Sequence, residues 1–446
     1  MKMSQPILDF DAKYFAFTKL DKSKIGFDLH LAQAIVGAAL SQISNVNSPP
    51  SANPVPVENY IKDLECFVLS QGSIRLRIKA NSSFRIYLNS EKIDTKGQKN
   101  IYVLEVSESQ VLFRSRNDNN PETILAKTTN PKALLEKGNE INYWISIDRN
   151  NRSLKFGKGE AIENLTLLKY KSPENVKFLD DLKYVGTSLD VLSILKAKYY
   201  IDPVVVPTPP FVVHQEKITL EQIEEGFITT IGNLPKECQA LYSVVAGPSI
   251  VLEKDVQDAI RASLKPGKAL YNKLLEKKEV HHSKLDETYL RVTLGENYGY
   301  SPGKPFVLEL WPAGHRSPIH KHADAFAVIK VLHNSIHCKY FSDLNPSIKL
   351  PFLEANFNQD QVTYLAPNIF QTHQLINITN DFTATIQCYR YASDDVQHYE
   401  YFDYLDDATQ KLDRFTPNTD YTYKGLLEVL RSEGSLKPKT KPQSQA

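Results

Sequence analysis

The sequence predicts a mainly β, two-domain protein, with an antiparallel β-sandwich in the N-terminal half and a β-barrel behind flanking helices in the C-terminal half. Three observations carry this. Short runs with apolar residues at every second position recur from about Glu58 to Tyr170 and again from Thr288 to about Tyr404. A period of two is what a strand with one buried face requires. Two proline-rich stretches, SPPSANPVP at 48–56 and PVVVPTPP at 203–210, separate the parts. Proline fixes φ and removes an amide donor, so such stretches favour extended connectors. Behind the second stretch the apolar spacing turns helical before strands return, and helices followed by a run of strands point to a barrel with a helical flank.

The elements follow in order. Residues 1–57 read as a helical segment, centred on Asp28 to Ser44, and a linker. Residues 58–172 are the sandwich. There Ile74, Leu76 and Ile78 alternate with Arg75, Arg77 and Lys79, and Phe84, Ile86 and Leu88 alternate with Arg85 and Tyr87. Further strands are expected at Ile101 to Val106, Val111 to Arg114, Thr123 to Lys127 and Tyr143 to Ile147. Another, Leu154 to Glu160, follows a turn at Asp148 to Arg152. Short strands at this spacing favour an antiparallel sandwich. Residues 173–214 read as a connector. In the second domain, 215–415, Leu252, Val256, Ala259, Ile260 and Leu264 share one helix face, and Leu270 to Leu275 suggests another helix. Residues 416–446 end in SLKPKTKPQSQA, polar and basic without apolar periodicity, and are expected to be a partly disordered tail.

Composition narrows the function classes. The chain has 446 residues, 41% apolar and 24% charged, which is ordinary globular usage. With 53 cationic and 52 anionic residues the net charge is +1, so no global field attracts nucleic acid or anionic lipid. The apolar stretch LAQAIVGAAL at 31–40 falls short of the roughly 20 residues a bilayer demands. No signal-peptide zoning is visible. Cys66, Cys238, Cys338 and Cys388 lie far apart with no CxxC pair, which argues against a disulfide scaffold or a cysteine-rich zinc module. The expectation is a soluble, reduced, cytoplasmic protein without nucleic-acid or membrane partners.

The most informative stretch runs from Trp311 to His322, WPAGHRSPIHKH. On a strand, residues i and i+2 project to one face, so His320 and His322 can meet one metal ion. Gly314 precedes them where a tight turn would feed the strand. A third histidine, His373, sits in an apolar stretch much later, with Asn377 four residues on. Glycine-x5-HxH followed by a distant H-x3-N is similar to the pattern of a cupin (double-stranded β-helix) barrel, whose third ligand comes from a later strand. Imidazole suits Zn, Cu, Fe and Ni alike. Asp324 could add a fourth ligand, but three neutral histidines would leave positions for substrate and dioxygen.

From about Ser249 to Tyr404 the chain resembles cysteine dioxygenase, a cupin thiol dioxygenase. The matches are Tyr289-Leu290-Arg291, Trp311 with Gly314-His315, Ser317 to His322, His373 with Asn377, and Gln387-Cys388-Tyr389. The resemblance implies Fe(II) on His320, His322 and His373, a substrate carboxylate bound at Arg291 beside Tyr289, and the catalytic Tyr389 hydroxyl directed at the iron. It implies Trp311, Thr385 and Gln387 as supporting residues. L-cysteine and O2 would then give cysteine sulfinate. A guanidinium fork matches a carboxylate, so a carboxylate-bearing alternative such as 3-mercaptopropionate ranks above cysteamine. Four positions depart from the pattern, one of them Thr385, where members commonly carry serine. Ala327 stands where animal members carry a tyrosine-linked cysteine, Gln387 where members carry histidine, and Lys321 where an acid is usual. A degenerate cupin that binds metal or ligand without turnover is the competing reading.

The upstream strands have their own likeness. Ile74 to Ala80, Tyr143 to Ser146 and Phe156 to Glu160 resemble the farnesoic acid O-methyltransferase-like domain over about Glu58 to Tyr170. No methyl-donor site is visible, and Gly157-Lys158-Gly159 follows a strand without opening a helix, unlike a nucleotide fingerprint. A binding or scaffolding module of unknown ligand is expected.

Overall fold

In the computed structural model the described residues are 64–65, 71–89, 100–117, 120–173, 182, 184–188, 193–281, 284–295, 303–348, 350–367, 369–391 and 401–437. The expected helix at Asp28 to Ser44 and the first proline-rich stretch lie outside them. The chain divides into two compact units at Val206/Pro207, inside the second proline-rich stretch.

Unit 1 contains β1 (Leu64–Glu65), β2 (Gly72–Lys79), β3 (Phe84–Asn89), β4 (Asn100–Val106), β5 (Val111–Asn117), β6 (Asn120–Thr128), β7 (Glu140–Asp148), β8 (Ser153–Lys158), β9 (Thr166–Lys171), β10 (Tyr184–Thr187) and β11 (Ile194–Tyr200). They form two sheets, β1-β10-β3-β4-β5-β6 and β11-β2-β7-β8-β9. Ile74, Leu76, Ile78 and Ile145 from one sheet share a core with Phe84, Ile86, Leu104 and Phe113 from the other. The alternation read from the sequence is therefore the inner face of a sandwich. The expected connector is not one over 184–200. β10 pairs with β3, and β11 pairs with β2. β11 reads ILKAKYY, with residues of intermediate or greater exposure throughout. Such an edge strand carries too little apolar alternation to be recognised.

Gly157 is fixed by packing. A Cβ there would stand 2.1 Å from Trp144 Cζ2 and 2.4 Å from the Leu165 carbonyl oxygen. Gly157 lies within β8, and the Gly-Lys-Gly sequence is a close-approach site for Trp144, itself 1% exposed. Gly157→Ala is expected to destabilise unit 1 by about 3 kcal/mol, as overpacking against a ring and backbone does. Urea unfolding followed through Trp144 fluorescence checks this.

Unit 2 opens with β12 (Phe211–Val213), α1 (Leu220–Glu225), β13 (Ile228–Thr230), α2 (Lys236–Val245), α3 (Lys254–Ser263) and α4 (Ala269–His281). The strands that follow are β14 (Leu290–Leu294), β15 (Gly303–Trp311), β16 (Ile319–Lys321), β17 (Phe326–His333), β18 (Ser335–Phe341), β19 (Leu353–Asn358), β20 (Val362–Leu365), β21 (Thr372–Ile376), β22 (Thr383–Arg390), β23 (Phe402–Leu405), β24 (Leu412–Phe415) and β25 (Tyr421–Thr422), and α5 (Tyr423–Ser432) comes last. One sheet has the order β13-β12-β20-β17-β22-β15-β14-β25, the other β19-β18-β21-β16-β23-β24. From β15 to β23 the chain crosses repeatedly between the two sheets. That crossing is the double-stranded β-helix, and it brings residues distant in sequence to one interior. Val256, Ala259 and Ile260 of α3 join the barrel core, as the helical spacing predicted.

The tail expectation is corrected over its described part. β25 pairs in parallel with β14, and α5 buries Leu426 and Leu430 completely. The apolar residues of 421–432 do have helical spacing, masked by the polar residues that follow. Among the described residues no helix is long and apolar enough to cross a membrane.

Arg261 of α3 clamps the turn before β22. Its Nε and Nη2 donate to the two Asp381 carboxylate oxygens at 2.9 and 2.7 Å, and His333 Nε2 lies 3.1 Å from Oδ2. The Arg261 hydrogen bonds hold the Asp381 carboxyl down to about 2 from 3.8. A folded-state value below the unfolded one stabilises above the unfolded pKa and is lost as pH falls through the folded one. Asp381→Asn should therefore cost roughly 1 kcal/mol near neutrality, allowing for the screening of a partly exposed pair. The melting-temperature gap from wild type should close between about pH 4 and pH 2.

Candidate metal centre

The ligand set is built by strand pairing. His320 on β16 and His373 on β21 are direct cross-strand partners. His322 follows β16 by one residue and shares the face of His320. The three imidazoles, all buried, bring one nitrogen each within 4.8 Å of one another. Their ring centroids are 4.7 to 4.8 Å apart. Asp324 is not in the cluster. Ala323 and Asp324 adopt left-handed φ of 51° and 64°. The chain turns there instead of continuing the strand, so the i+2 relation to His322 is broken.

The three side chains suit a metal ion. The His320 Nδ1–H donates to the Pro318 carbonyl at 3.0 Å, which leaves Nε2 with its lone pair free for a ligand bond. The Nε2 atoms of His322 and His373 face each other at 3.0 Å, and His322 Nδ1 is buried without a hydrogen-bond partner. Two facing ring nitrogens must share either a proton or a cation. Burial pushes all three imidazoles down, His320 to about 4, with their mutual proximity adding to the effect on His322 and His373. They are therefore neutral, the ligand-competent form.

The other expected residues line or support the same cavity. Tyr389 stacks on His322 at 5.3 Å between centroids, and Phe402 covers the same ring at 4.5 Å. Ala327 is the cross-strand partner of Tyr389 and offers only a methyl group beside it. Tyr289 stacks on Trp311 at 4.1 Å, and the Trp311 indole N–H donates to Thr385 Oγ1 at 3.3 Å. Arg291 lines the cavity, but it already has a partner. Its Nε donates to Glu309 Oε1 at 3.1 Å, and its Nη1 donates to the Pro417 carbonyl.

Glu309 was not among the residues singled out from the sequence. It lies two residues before Trp311 on β15, so period-two projection from Trp311 would have placed it on the cavity face. It is 4% exposed, directly opposite Arg291 in the β14–β15 ladder, and hydrogen-bonded by the Gln387 side chain. Burial pushes its carboxyl above the usual range and Arg291 opposes that, whereas burial of Arg291 is offset by Glu309, which keeps the guanidinium charged. Pro417 and Phe402, also missed, come from β23 and the segment after β24, where no short pattern marks them.

Unit 2 is a double-stranded β-helix barrel by its strand order. Comparison with solved structures returns cupin domains over about a quarter of the chain. The cupin domain of Schizosaccharomyces pombe Cnp3 is 11% identical with a TM-score of 0.19, covering 24% of this chain and 66% of that one. A cupin 2 conserved barrel domain protein from Salinispora arenicola is 15% identical with a TM-score of 0.20, over 25% and 82%. An oxalate oxidase in complex with glycolate is 14% identical with a TM-score of 0.20, over 24% and 53%. The assignment rests on the sheet order, not on these scores. No family model and no curated protein matches the chain.

Proposed function

We propose that unit 2 is a mononuclear ferrous thiol dioxygenase of the cysteine dioxygenase kind, converting a small thiol to its sulfinate with O2. Unit 1 is proposed as a binding or scaffolding module joined to it, of the farnesoic acid O-methyltransferase-like kind. The observation that carries the reading is the convergence of three buried neutral imidazoles from β16 and β21 in a cavity also lined by Tyr389 and Arg291.

His320, His322 and His373 would hold the ion, which when bound supplies the redox centre and favours the thiolate form of a thiol. The chain's own residues do the rest. Tyr389 offers a hydroxyl that burial keeps protonated, hence a hydrogen-bond donor. The stacked Tyr289 and Trp311, together with Phe402, exclude water. Gln387 holds Glu309 but cannot carry a proton, so no relay runs through it. In the overall reaction both oxygen atoms end on sulfur, the sulfur supplies all the electrons the O2 accepts, and the thiol proton leaves with the sulfinic acid. No external reductant is required.

The test is anaerobic Fe(II) loading, then oxygen uptake and mass detection of the product, with L-cysteine, 3-mercaptopropionate and cysteamine in turn and Arg291→Ala as control. Oxygen uptake matched by sulfinate supports the reading, and none with any of the three thiols refutes it. A cupin that binds without turnover, which Gln387 favours, would take up metal and thiol and release no sulfinate.

A further inference from the structure

We infer that Glu309 sets the substrate class of the centre, so that it accepts an aminothiol lacking a carboxylate and disfavours carboxylate-bearing thiols. The inference rests on the thiol dioxygenase reading and sharpens it.

Among the described residues lining the cavity, Arg291 is the one lysine or arginine, so a substrate carboxylate would have to be recognised there. Two of its side-chain nitrogens already have partners within the chain. Nε is committed to Glu309, Nη1 to the Pro417 carbonyl, and the Arg291 backbone N–H donates to Asp420 Oδ2 at 2.8 Å. Arg291 and Glu309 are 7% and 4% exposed and sit opposite each other in the antiparallel β14–β15 ladder. The next cation, Lys277 of α4, donates to Asp420 at 2.7 Å and so brings no surplus charge. The buried site thus holds balanced pairs: Arg291 with Glu309, and Lys277 with Asp420.

A carboxylate brought to Arg291 would have to share the one guanidinium with Glu309, at a position where the two carboxylates face each other. Two carboxylates confined to one site repel each other strongly. An ammonium or neutral amine meets the opposite situation, because Glu309 lines the cavity and can accept a hydrogen bond from it. Glu309 therefore acts as a resident carboxylate occupying the place the substrate's would take. This reverses the ranking that Arg291 alone suggested, in which cysteamine came last.

The test is anaerobic calorimetric titration of the Fe(II)-loaded full chain with cysteamine and with 3-mercaptopropionate. Wild type is expected to bind cysteamine at least tenfold more tightly. Glu309→Gln, which keeps the shape and removes the charge, is expected to invert that order. Arg291→Met combined with Glu309→Leu removes both charges and is expected to bring the two affinities within about threefold of each other, and it serves if the single variant does not fold. Tighter binding of 3-mercaptopropionate by wild type, or an unchanged affinity ratio in a folded Glu309 variant, overturns the inference while leaving the dioxygenase reading intact. If neither thiol binds, the dioxygenase reading fails first and the inference falls with it.

Discussion

Arg291→Ala is expected to destabilise unit 2 by about 3–5 kcal/mol, the cost of leaving one member of a buried ion pair without its partner. In this variant Glu309 stays buried, keeping only the Gln387 hydrogen bond, and the Pro417 carbonyl loses its donor. Removing both charges is a different matter. Arg291→Met with Glu309→Leu replaces the pair by apolar groups and should recover most of the loss. Each unit holds a single tryptophan, Trp144 or Trp311. Urea unfolding in a Trp144→Phe background therefore reports on unit 2 alone. A loss below about 1 kcal/mol in the single variant would mean that the pair is solvated and weak, as surface pairs are.

His373→Ala is expected to lower ferrous affinity by well over 100-fold, more than the 10- to 100-fold that loss of a ligand's supporting residue costs. Its contribution to folding should be small by comparison. The two remaining histidines, His320 and His322, are two residues apart on one stretch of chain and cannot enclose an ion from two sheet positions. Bound metal after desalting, measured by inductively coupled plasma mass spectrometry, checks this. His337→Ala serves as the control, because His337 pairs with Asn356 and Glu354 on the outer surface of β18–β19. Equal metal content in the two variants would remove His373 from the centre.

The sandwich strands and the helix face of α3 were legible in the sequence because each shows one clean period: two for Ile74, Leu76 and Ile78, and 3.6 for Val256, Ala259 and Ile260. The His320, His322 and His373 set was legible because its types and spacing are uncommon together. Elements without a clean period were lost. β11 is an edge strand with lysines and tyrosines where a core strand would be apolar, and α5 is followed by a polar run that hid its two buried leucines. The state of Arg291 was not readable at all. Its meaning depends on the β14–β15 register that puts Glu309 opposite it, and register is a property of pairing, not of either strand alone. The sequence showed which residues could do chemistry, whereas the pairing showed which of them were already occupied.

The central claim is that imidazoles from two strands share one metal ion inside the barrel. X-ray absorption at the iron edge of the anaerobically loaded full chain tests it most directly. Three imidazole ligands per iron in wild type, falling to two in His373→Ala, is the expected result. A first shell with fewer than three imidazoles, or a spectrum unchanged by His373→Ala, would contradict it.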